Sequence, residues 1–241
     1  MPVIYEPVLA NPAPVGLYQV AIVLDRDDPT RLADGVLVRS INCGPSGVWP
    51  IEYCAGPPAE PKGGDRAPDH LFTGLVVWAA DDCGLLADLN DQQARARQLL
   101  RLHERRHVEE HAATVLTAEA GPPNTATGLV AALGAVEEQL AQFGYPGVVH
   151  AAPHLAAAAH AVNLVVRDGA RLLTPSGNQW AFGAGYVDLG DTLFGTGPVV
   201  VHRGPVVEST GPFHRRNERL VVVEREVLVS WECVTLAVTI A

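Results

Sequence analysis

One segment of the sequence has the residue types and the spacing for metal-dependent hydrolysis. Residues 103–107 read HERRH, which matches the H-E-x-x-H pattern of zinc hydrolases. On a helix, His103 and His107 lie one turn apart and could bind zinc, while Glu104 could activate a water molecule. His111 adds a third imidazole at the same spacing along the same face. A zinc hydrolase built on these residues is therefore one hypothesis for the chain.

The composition of the same segment favours a surface helix. Both variable positions, Arg105 and Arg106, are cations that would lie beside a dication. The surrounding sequence RLHERRHVEEH is charged throughout, which is typical of a solvated helix face. We therefore expect Glu104, Glu109 and Glu110 to neutralise the arginines and histidines of this face, and we predict neither a metal site nor a catalytic residue.

Other motifs for catalysis or cofactor binding are missing from the sequence. It contains no G-x-S-x-G, no P-loop and no G-x-G-x-x-G that follows a predicted strand, so we predict no cofactor. His150, His154 and His160 are expected at helix ends and in packing positions. Four cysteines form no C-x-x-C pair and are expected to be free buried thiols: Cys43, Cys54, Cys83 and Cys233.

Length and charge limit the classes of function. The chain has 241 residues, of which 48% are apolar and 18% charged, a composition typical of a globular protein. Its net charge of −10 argues against a phosphate-binding surface, so a role near nucleic acid would be to contain it. We find no secretory signal and no apolar run near the roughly 18 residues that span a bilayer. We expect a soluble protein made in the cytosol, without membrane contact.

Local patterns in the first half of the chain predict an arm, a hairpin, a loop, a strand and a long helix. Prolines punctuate the arm, Gly and Pro fill the loop, and the helical run lacks both residue types. Asn90 or Asp91 is the predicted N-cap of the helix. The predicted ranges are 1–15 for the arm, 17–24 and 35–41 for the hairpin, 43–70 for the exposed loop, 72–80 for the buried strand and 91–116 for the helix.

The second half combines short helices with strands. An apolar stripe at spacings of four and three residues predicts a helix that begins at Asn124 or Thr125 and ends before Gly144. Because strands and helices do not alternate in βαβ order, we predict the α+β class and not a doubly wound fold. The other predicted ranges are a strand at 148–150, a helix at 154–162, and strands at 199–202, 206–208, 220–228 and 229–240.

In this order, the elements resemble those of the major capsid proteins of tailed phages, which have the Johnson or Hong Kong 97-like fold. The amino-acid sequence over about residues 75–240 is also similar to that of short capsid proteins from phages of actinobacteria. The stretches that carry the resemblance are VVWAADDC (76–83), GYPGVVHAAPH (144–154), LLTPSGNQWAFGAGY (172–186), GTGPVVVHRG (195–204) and RRNERLVVVEREVLVSWECV (215–234). None of them is a catalytic motif.

The resemblance implies a division of the chain into the parts of that fold. The long helix would be the spine helix of a peripheral domain, and a second, axial domain would meet its copies around the capsomer axis. The implied ranges are 1–16 for the N-terminal arm, 17–70 for the E-loop, 71–120 and 196–241 for the peripheral domain with its spine helix at about 91–116, and 121–195 for the axial domain.

The resemblance also implies a shell subunit and not an enzyme. Such a subunit self-assembles into hexamers and pentamers of an icosahedral capsid, which encloses double-stranded DNA without sequence-specific binding. Scaffold, portal and decoration proteins are the further partners that the family suggests, and the virion is the expected location after synthesis in the host cytoplasm. Some members of the fold link subunits through an E-loop lysine, and Lys62 is the one lysine here. An encapsulin-like nanocompartment shell is the alternative within the same fold.

Overall fold

The computed structural model describes residues 5, 7–26, 30–49, 63–213 and 217–241. The helices are α1 (Leu17–Val20), α2 (Thr30–Ala33), α3 (Leu89–Glu119), α4 (Gly128–Ala141) and α5 (Leu155–Ala161), and a 3₁₀ helix spans Ala184–Leu189. The strands are β1 (Ile22–Asp25), β2 (Val36–Val38), β3 (His70–Phe72), β4 (Leu75–Gly84), β5 (Asn124–Ala126), β6 (Val148–Ala151), β7 (Val166–Asp168), β8 (Arg171–Leu173), β9 (Gln179–Phe182), β10 (Thr192–Thr196), β11 (Val199–Arg203), β12 (Val207–Phe213), β13 (Glu218–Trp231) and β14 (Thr235–Ile240).

A five-stranded sheet is built around the long strand β13. Strand β4 pairs antiparallel with one edge of β13, while β12 and β11 pair antiparallel with successive parts of the other edge. Strand β1 extends the sheet by pairing parallel with β11. Side chains alternate across a strand, so Val221 and Val223 of β13 and Val77 of β4 share one buried face. This face packs against α3 and forms the first hydrophobic core.

A seven-stranded mixed sheet forms one side of the second hydrophobic core. Its strand order is β5-β14-β10-β6-β9-β8-β7. The apolar stripe of α4, with Leu133, Val136 and Leu140, packs over the sheet as its period predicts. Trp180, which is 1% exposed, fills this core and donates its indole N–H to the carbonyl oxygen of Leu164 at 2.8 Å. The α+β class is therefore confirmed, with two cores that share the same chain.

The long helix α3 lies close to its predicted position. It has 31 residues and begins after Asp88, whose side chain accepts a hydrogen bond from Asn90 N, so the true N-cap precedes the predicted one. It ends before Gly121, which has a φ of 66°. Within the part of the chain that the structure describes, no helix is both long and apolar enough to cross a membrane.

The predicted start of α4 and the predicted N-terminal hairpin are wrong. Residues 124–126 form strand β5, which pairs parallel with β14, and α4 begins only after Thr127. Residues 17–20 are helical, and β1 pairs with β11 instead of with residues 35–41. The hairpin is formed by β2 and β3 across the long intervening loop, a pairing between segments too far apart in sequence for local patterns to reveal.

The long β-prone run at the C-terminus is also divided between the two sheets. Strand β13 ends at Trp231, and Cys233 adopts a φ of 76°, which reverses the chain. Strand β14 then pairs antiparallel with β10 in the seven-stranded sheet. The predicted strand at 229–240 is therefore two elements, and the last one lies with the elements of residues 121–195.

The second core generates a stability prediction. Trp180→Ala should lower the free energy of unfolding by about 3–5 kcal/mol, because it empties a large buried volume and leaves the Leu164 carbonyl without its donor. The matched control is Trp78→Ala, because Trp78 is 63% exposed and its loss should cost less than about 1 kcal/mol. Urea denaturation followed by circular dichroism measures both, and equal losses would contradict the assignment of the core.

Candidate assembly surfaces and the buried carboxylates behind them

The residues of the alternative zinc-hydrolase hypothesis lie in the middle of α3, in different surroundings. His103 is exposed, and its ring centroid lies 6.4 Å from that of the half-buried His107. Glu104, by contrast, is only 7% exposed, and His111 is half-buried. Among the described residues, no three ligand atoms of this segment come close enough together to hold a metal ion.

Glu104 belongs to the buried row of the helix. It lies one turn from Leu100 and one turn from Val108, and both of these residues face the sheet. Its carboxylate accepts a hydrogen bond from the Tyr18 hydroxyl at 2.9 Å. Two guanidinium groups supply the opposite charge: Arg225 at 3.2 Å and Arg203 at 3.5 Å. Glu104 therefore joins α1, α3 and two strands of the five-stranded sheet.

The charged environment of Glu104 also affects its phenol partner. Burial raises the pKa of Tyr18 well above its usual range, and the negative charge of Glu104 raises it further. The hydroxyl therefore remains a proton donor at any physiological pH. Arg105 covers the other side of this ring, with its guanidinium carbon 5.4 Å from the ring centroid.

Glu109 is the second buried carboxylate of α3 and is 2% exposed. One of its oxygens accepts a hydrogen bond from Leu17 N at 2.8 Å, and the other accepts one from Gly185 N at 3.0 Å. Burial raises the pKa of Glu109, although the hydrogen bonds from these backbone groups partly oppose the rise. Gly183 and Gly185 approach so closely that a Cβ atom would lie 2.5 Å and 2.2 Å from atoms of α3, so glycine is required at both positions.

The predicted solvated face is therefore only partly correct. Glu110 does pair with Arg106 at 2.8 Å and with His107 at 2.9 Å, as expected. Glu104 and Glu109 instead face inward and bind groups distant in sequence. Because charged residues surround all three glutamates, the sequence pattern did not distinguish the inward-facing Glu104 and Glu109 from Glu110.

The N-terminal arm lies along a row of side chains on α3 that we call the arm stripe. Its members are spaced three and four residues apart, so they lie on one side of the helix. Three of them contact backbone groups of the arm or of α1, and one contacts an arm side chain. The pairs are Gln98 with Ala10 O at 2.7 Å, Arg101 with Asn11 Oδ1, Arg105 with Ala13 O at 2.8 Å, and Glu109 with Leu17 N at 2.8 Å.

Sequence reasoning did not find the arm stripe. The polar spacing of Gln98, Arg101 and Arg105 was visible, but a polar stripe on a long helix is more often solvated. The arm carries no pattern that names its binding site, because the helix holds it mainly through backbone carbonyl groups, which every sequence has. Side chains of the arm instead face outward, and Val8 and Leu9 are 90% and 68% exposed.

The long loop is fastened where it leaves and rejoins the body. Glu232 accepts hydrogen bonds from Ile41 N and Asn42 N on the outgoing side. On the returning side, His70 Nε2 lies 2.8 Å from an oxygen of Glu119, at the end of α3. We call these two contact regions the loop root. Lys62 lies outside the described residues.

The prediction of four free buried thiols is wrong in two respects. Cys43 and Cys233 form a disulfide at the loop root. Cys83 is free, but it is exposed at the end of β4. Cys54 lies outside the described residues. The pairing could not be read from the sequence, because the two bonded residues are 190 positions apart.

His150 lies in the interior of the seven-stranded sheet, which fits the expectation of a packing residue. Its Nδ1 lies 2.9 Å from the Tyr186 hydroxyl, and its Nε2 lies 2.9 Å from the Thr196 hydroxyl. Burial lowers the pKa of His150 to about 3, so the ring is neutral at physiological pH. His154, in contrast, is exposed and lies 3.0 Å from Asp191.

Comparison with solved structures shows where this architecture occurs. The capsid of the empty GTA particle matches with a TM-score of 0.59 and 15% identity, over 100% of this chain and 95% of the other. The capsid of Ralstonia phage GP4 matches with a TM-score of 0.56 and 11% identity, over 100% and 95%. A virus-like particle from Pyrococcus furiosus matches with a TM-score of 0.51 and 12% identity, over 94% and 92%.

The fold is that of Hong Kong 97-like capsid proteins. The resemblance drawn from the order of the sequence elements is thereby confirmed. No protein-family model matches the chain, and no curated protein matches its sequence. The similarity therefore lies in the arrangement of the helices and strands. It extends over nearly the full length of this chain and of the matching chains.

Within this capsid fold, Glu109 generates a prediction. Glu109→Gln should lower the free energy of unfolding by about 1–3 kcal/mol, because the amide nitrogen cannot accept one of the two backbone hydrogen bonds. The neighbouring Glu110→Gln is the matched control, with an expected loss below about 0.5 kcal/mol for an exposed pair. Chemical denaturation of both variants tests this, and a Glu110→Gln loss as large as that of Glu109→Gln would refute the inward-facing role.

His150 generates a prediction about pH. Because its pKa in the folded state lies below the unfolded value of 6.5, its contribution is complete above pH 6.5 and is lost as the pH falls towards about 3. The wild type should lose about 2 kcal/mol between pH 7 and pH 5 from this group. In His150→Gln the pH dependence should weaken by this amount, and an unchanged pH dependence in this variant would contradict the prediction. Urea titrations at both pH values measure the difference.

Proposed function

We propose that this chain is the shell subunit of an icosahedral phage capsid, which assembles as hexamers and pentamers around double-stranded DNA. The observation that supports the proposal is the match of the whole chain, arm and loop included, to capsid subunits of nearly the same length. An enzyme that merely borrowed part of the fold would not need these extensions. The net charge of −10 fits a container that does not grip its nucleic acid.

We propose that the subunit is divided into an arm, an E-loop, a peripheral domain and an axial domain. The arm lies on the arm stripe, and the E-loop projects from the loop root. The peripheral domain comprises α3 and the five-stranded sheet, and the axial domain comprises α4, α5 and the seven-stranded sheet. The ranges are 1–16, 17–70, 71–120 with 196–241, and 121–195, with two exceptions: β1 of the E-loop range pairs with β11 of the five-stranded sheet, and β14 pairs with the axial strands.

The outer face of the five-stranded sheet is the proposed contact with a neighbouring subunit. On β13, Glu224 and Glu226 point away from α3, because side chains alternate along a strand and Val223 faces the helix. Val76 and Trp78 of β4 and Val207 of β12 are paired with these two glutamates and therefore lie on the same outer face. Their exposures are 52%, 63% and 48%. Exposed apolar groups gathered on one sheet face are typical of interaction sites.

The proposal assigns a structural and not a catalytic role to α3. Glu104, the residue that would activate water in a zinc hydrolase, already binds Tyr18, Arg203 and Arg225. We infer no cofactor and no membrane partner. Scaffold, portal and decoration proteins are partners that we propose from the fold. A covalent link through Lys62 stays a prediction.

A nanocompartment shell is the second candidate, because a virus-like particle from Pyrococcus furiosus has the same fold. Both functions require self-assembly, and they differ in the contents of the shell. A capsid should enclose DNA or a scaffold protein, whereas a nanocompartment should enclose an enzyme. Analysis of the contents of purified particles distinguishes the two.

Assembly is tested by negative-stain electron microscopy and light scattering of the purified chain. We expect closed shells, or rings of five and six subunits. Trp78→Asp should abolish these particles and leave a folded subunit, because it places a charge on the proposed contact face without disturbing either core. Trp78→Phe, which keeps an apolar ring, should still assemble. A zinc-loaded monomer whose hydrolytic activity is lost in Glu104→Gln would overturn the proposal.

A further inference from the structure

The disulfide at the loop root joins two parts of the molecule that the sequence keeps far apart. Cys43 follows β2 on the outgoing side of the long loop, and Cys233 lies in the turn between β13 and β14. Their Cα atoms are 5.4 Å apart, although 190 residues separate them. The bond therefore fixes the base of the loop to the point where the chain crosses from one sheet to the other.

Non-covalent contacts also join the segments that carry the two cysteines. Glu232 accepts hydrogen bonds from Asn42 N at 2.7 Å and from Asn42 Nδ2 at 2.6 Å, and these residues directly precede Cys233 and Cys43 in the chain. Phe72 of β3 packs against Trp231 in an edge-to-face contact, with the ring centroids 5.0 Å apart. The segments that carry the two cysteines are therefore joined by these contacts as well as by the bond.

We propose that Cys43 and Cys233 are a redox-controlled staple that is open while the chain is made and closes by oxidation after folding. A reducing cytosol keeps the two thiols reduced, and an oxidising environment outside the cell favours the disulfide. The staple does not depend on what the particle contains. It fastens the base of the loop to the turn between β13 and β14 only after the chain has folded.

The oxidant is a small-molecule disulfide such as oxidised glutathione. One protein thiolate attacks it, forms a mixed disulfide and releases one small thiol. The second protein thiol then attacks the mixed disulfide and releases the other small thiol. The two cysteines lose two protons and two electrons, and the oxidant gains them. A cavity of about 150 Å³ lies beside the bond and is lined by both cysteines.

A metal site formed by the two cysteines is the alternative to a disulfide at this position. Ligand atoms of Cys43, Cys233 and Glu232 lie within 4.8 Å of one another, which would suit a zinc ion bound by two thiolates and a carboxylate. However, both oxygens of Glu232 already accept hydrogen bonds from the outgoing segment of the loop. A metal would have to displace these contacts, whereas the disulfide leaves them in place.

The experiment compares the full chain after treatment with dithiothreitol and after treatment with oxidised glutathione. Oxidation should protect two of the four cysteines from alkylation, and peptide mapping should find Cys43 linked to Cys233. The melting temperature should be higher in the oxidised protein by about 5–15 °C, because the bond restricts the unfolded chain. Wild-type protein without added zinc is used, and bound metal is measured in the same sample.

Two variants make the result decisive. Cys43→Ser should abolish the difference in melting temperature between the two treatments, whereas Cys83→Ser, which alters an exposed thiol, should keep it. Alkylation of both Cys43 and Cys233 after oxidation would overturn the staple, and so would stoichiometric zinc in the reduced wild type that is lost in Cys43→Ser. Each of these outcomes leaves the assembly experiment unaffected, so the two proposals fail separately.

Discussion

Two buried carboxylates on one helix are the constraint on which the rest of the subunit depends. Burying a charge is costly unless other groups compensate it, so each carboxylate fixes the position of whatever satisfies it. Glu104 requires Arg203 and Arg225 from the five-stranded sheet, and Glu109 requires backbone N–H groups from α1 and from the 3₁₀ helix after β9. The helix, the N-terminal segment and both sheets are thereby held in one arrangement, and leaving either carboxylate unpaired would cost several kcal/mol.

These contacts hold α3 and the two sheets together as the body from which the arm and the loop extend. The arm and the loop are each fastened to the body at defined points, the arm stripe and the loop root. The body therefore sets the direction in which each extension leaves. In the assembly that we propose, modest contacts repeated around a closed symmetric particle would add up to a stable shell. The exposed valines and tryptophan of the sheet face would supply apolar area for such contacts.

Local patterns predicted the elements well and their partners poorly. Helices α3 and α4 were found because capping residues and apolar periods are written in neighbouring residues. The pairing of β1 with β11, of β14 with β10 and of Cys43 with Cys233 joins residues far apart, and a single sequence holds no record of such contacts. Glu104 was misplaced although a signal existed: it lies one turn from Leu100 and one turn from Val108, on the apolar row. Its charged neighbours outweighed that spacing. The order of elements was nevertheless enough to suggest the capsid fold.

The most direct test of this account is native-state hydrogen exchange at the backbone amides of Leu17 and Gly185, the two donors to Glu109. If the buried carboxylate unites the subunit, both amides should exchange only through the same opening as the amides in the centre of α3, with the same free energy. The equality should persist from the lowest denaturant concentration upward. Rapid exchange of either amide through a separate local opening, while α3 stays protected, would contradict the claim that Glu109 holds these segments together.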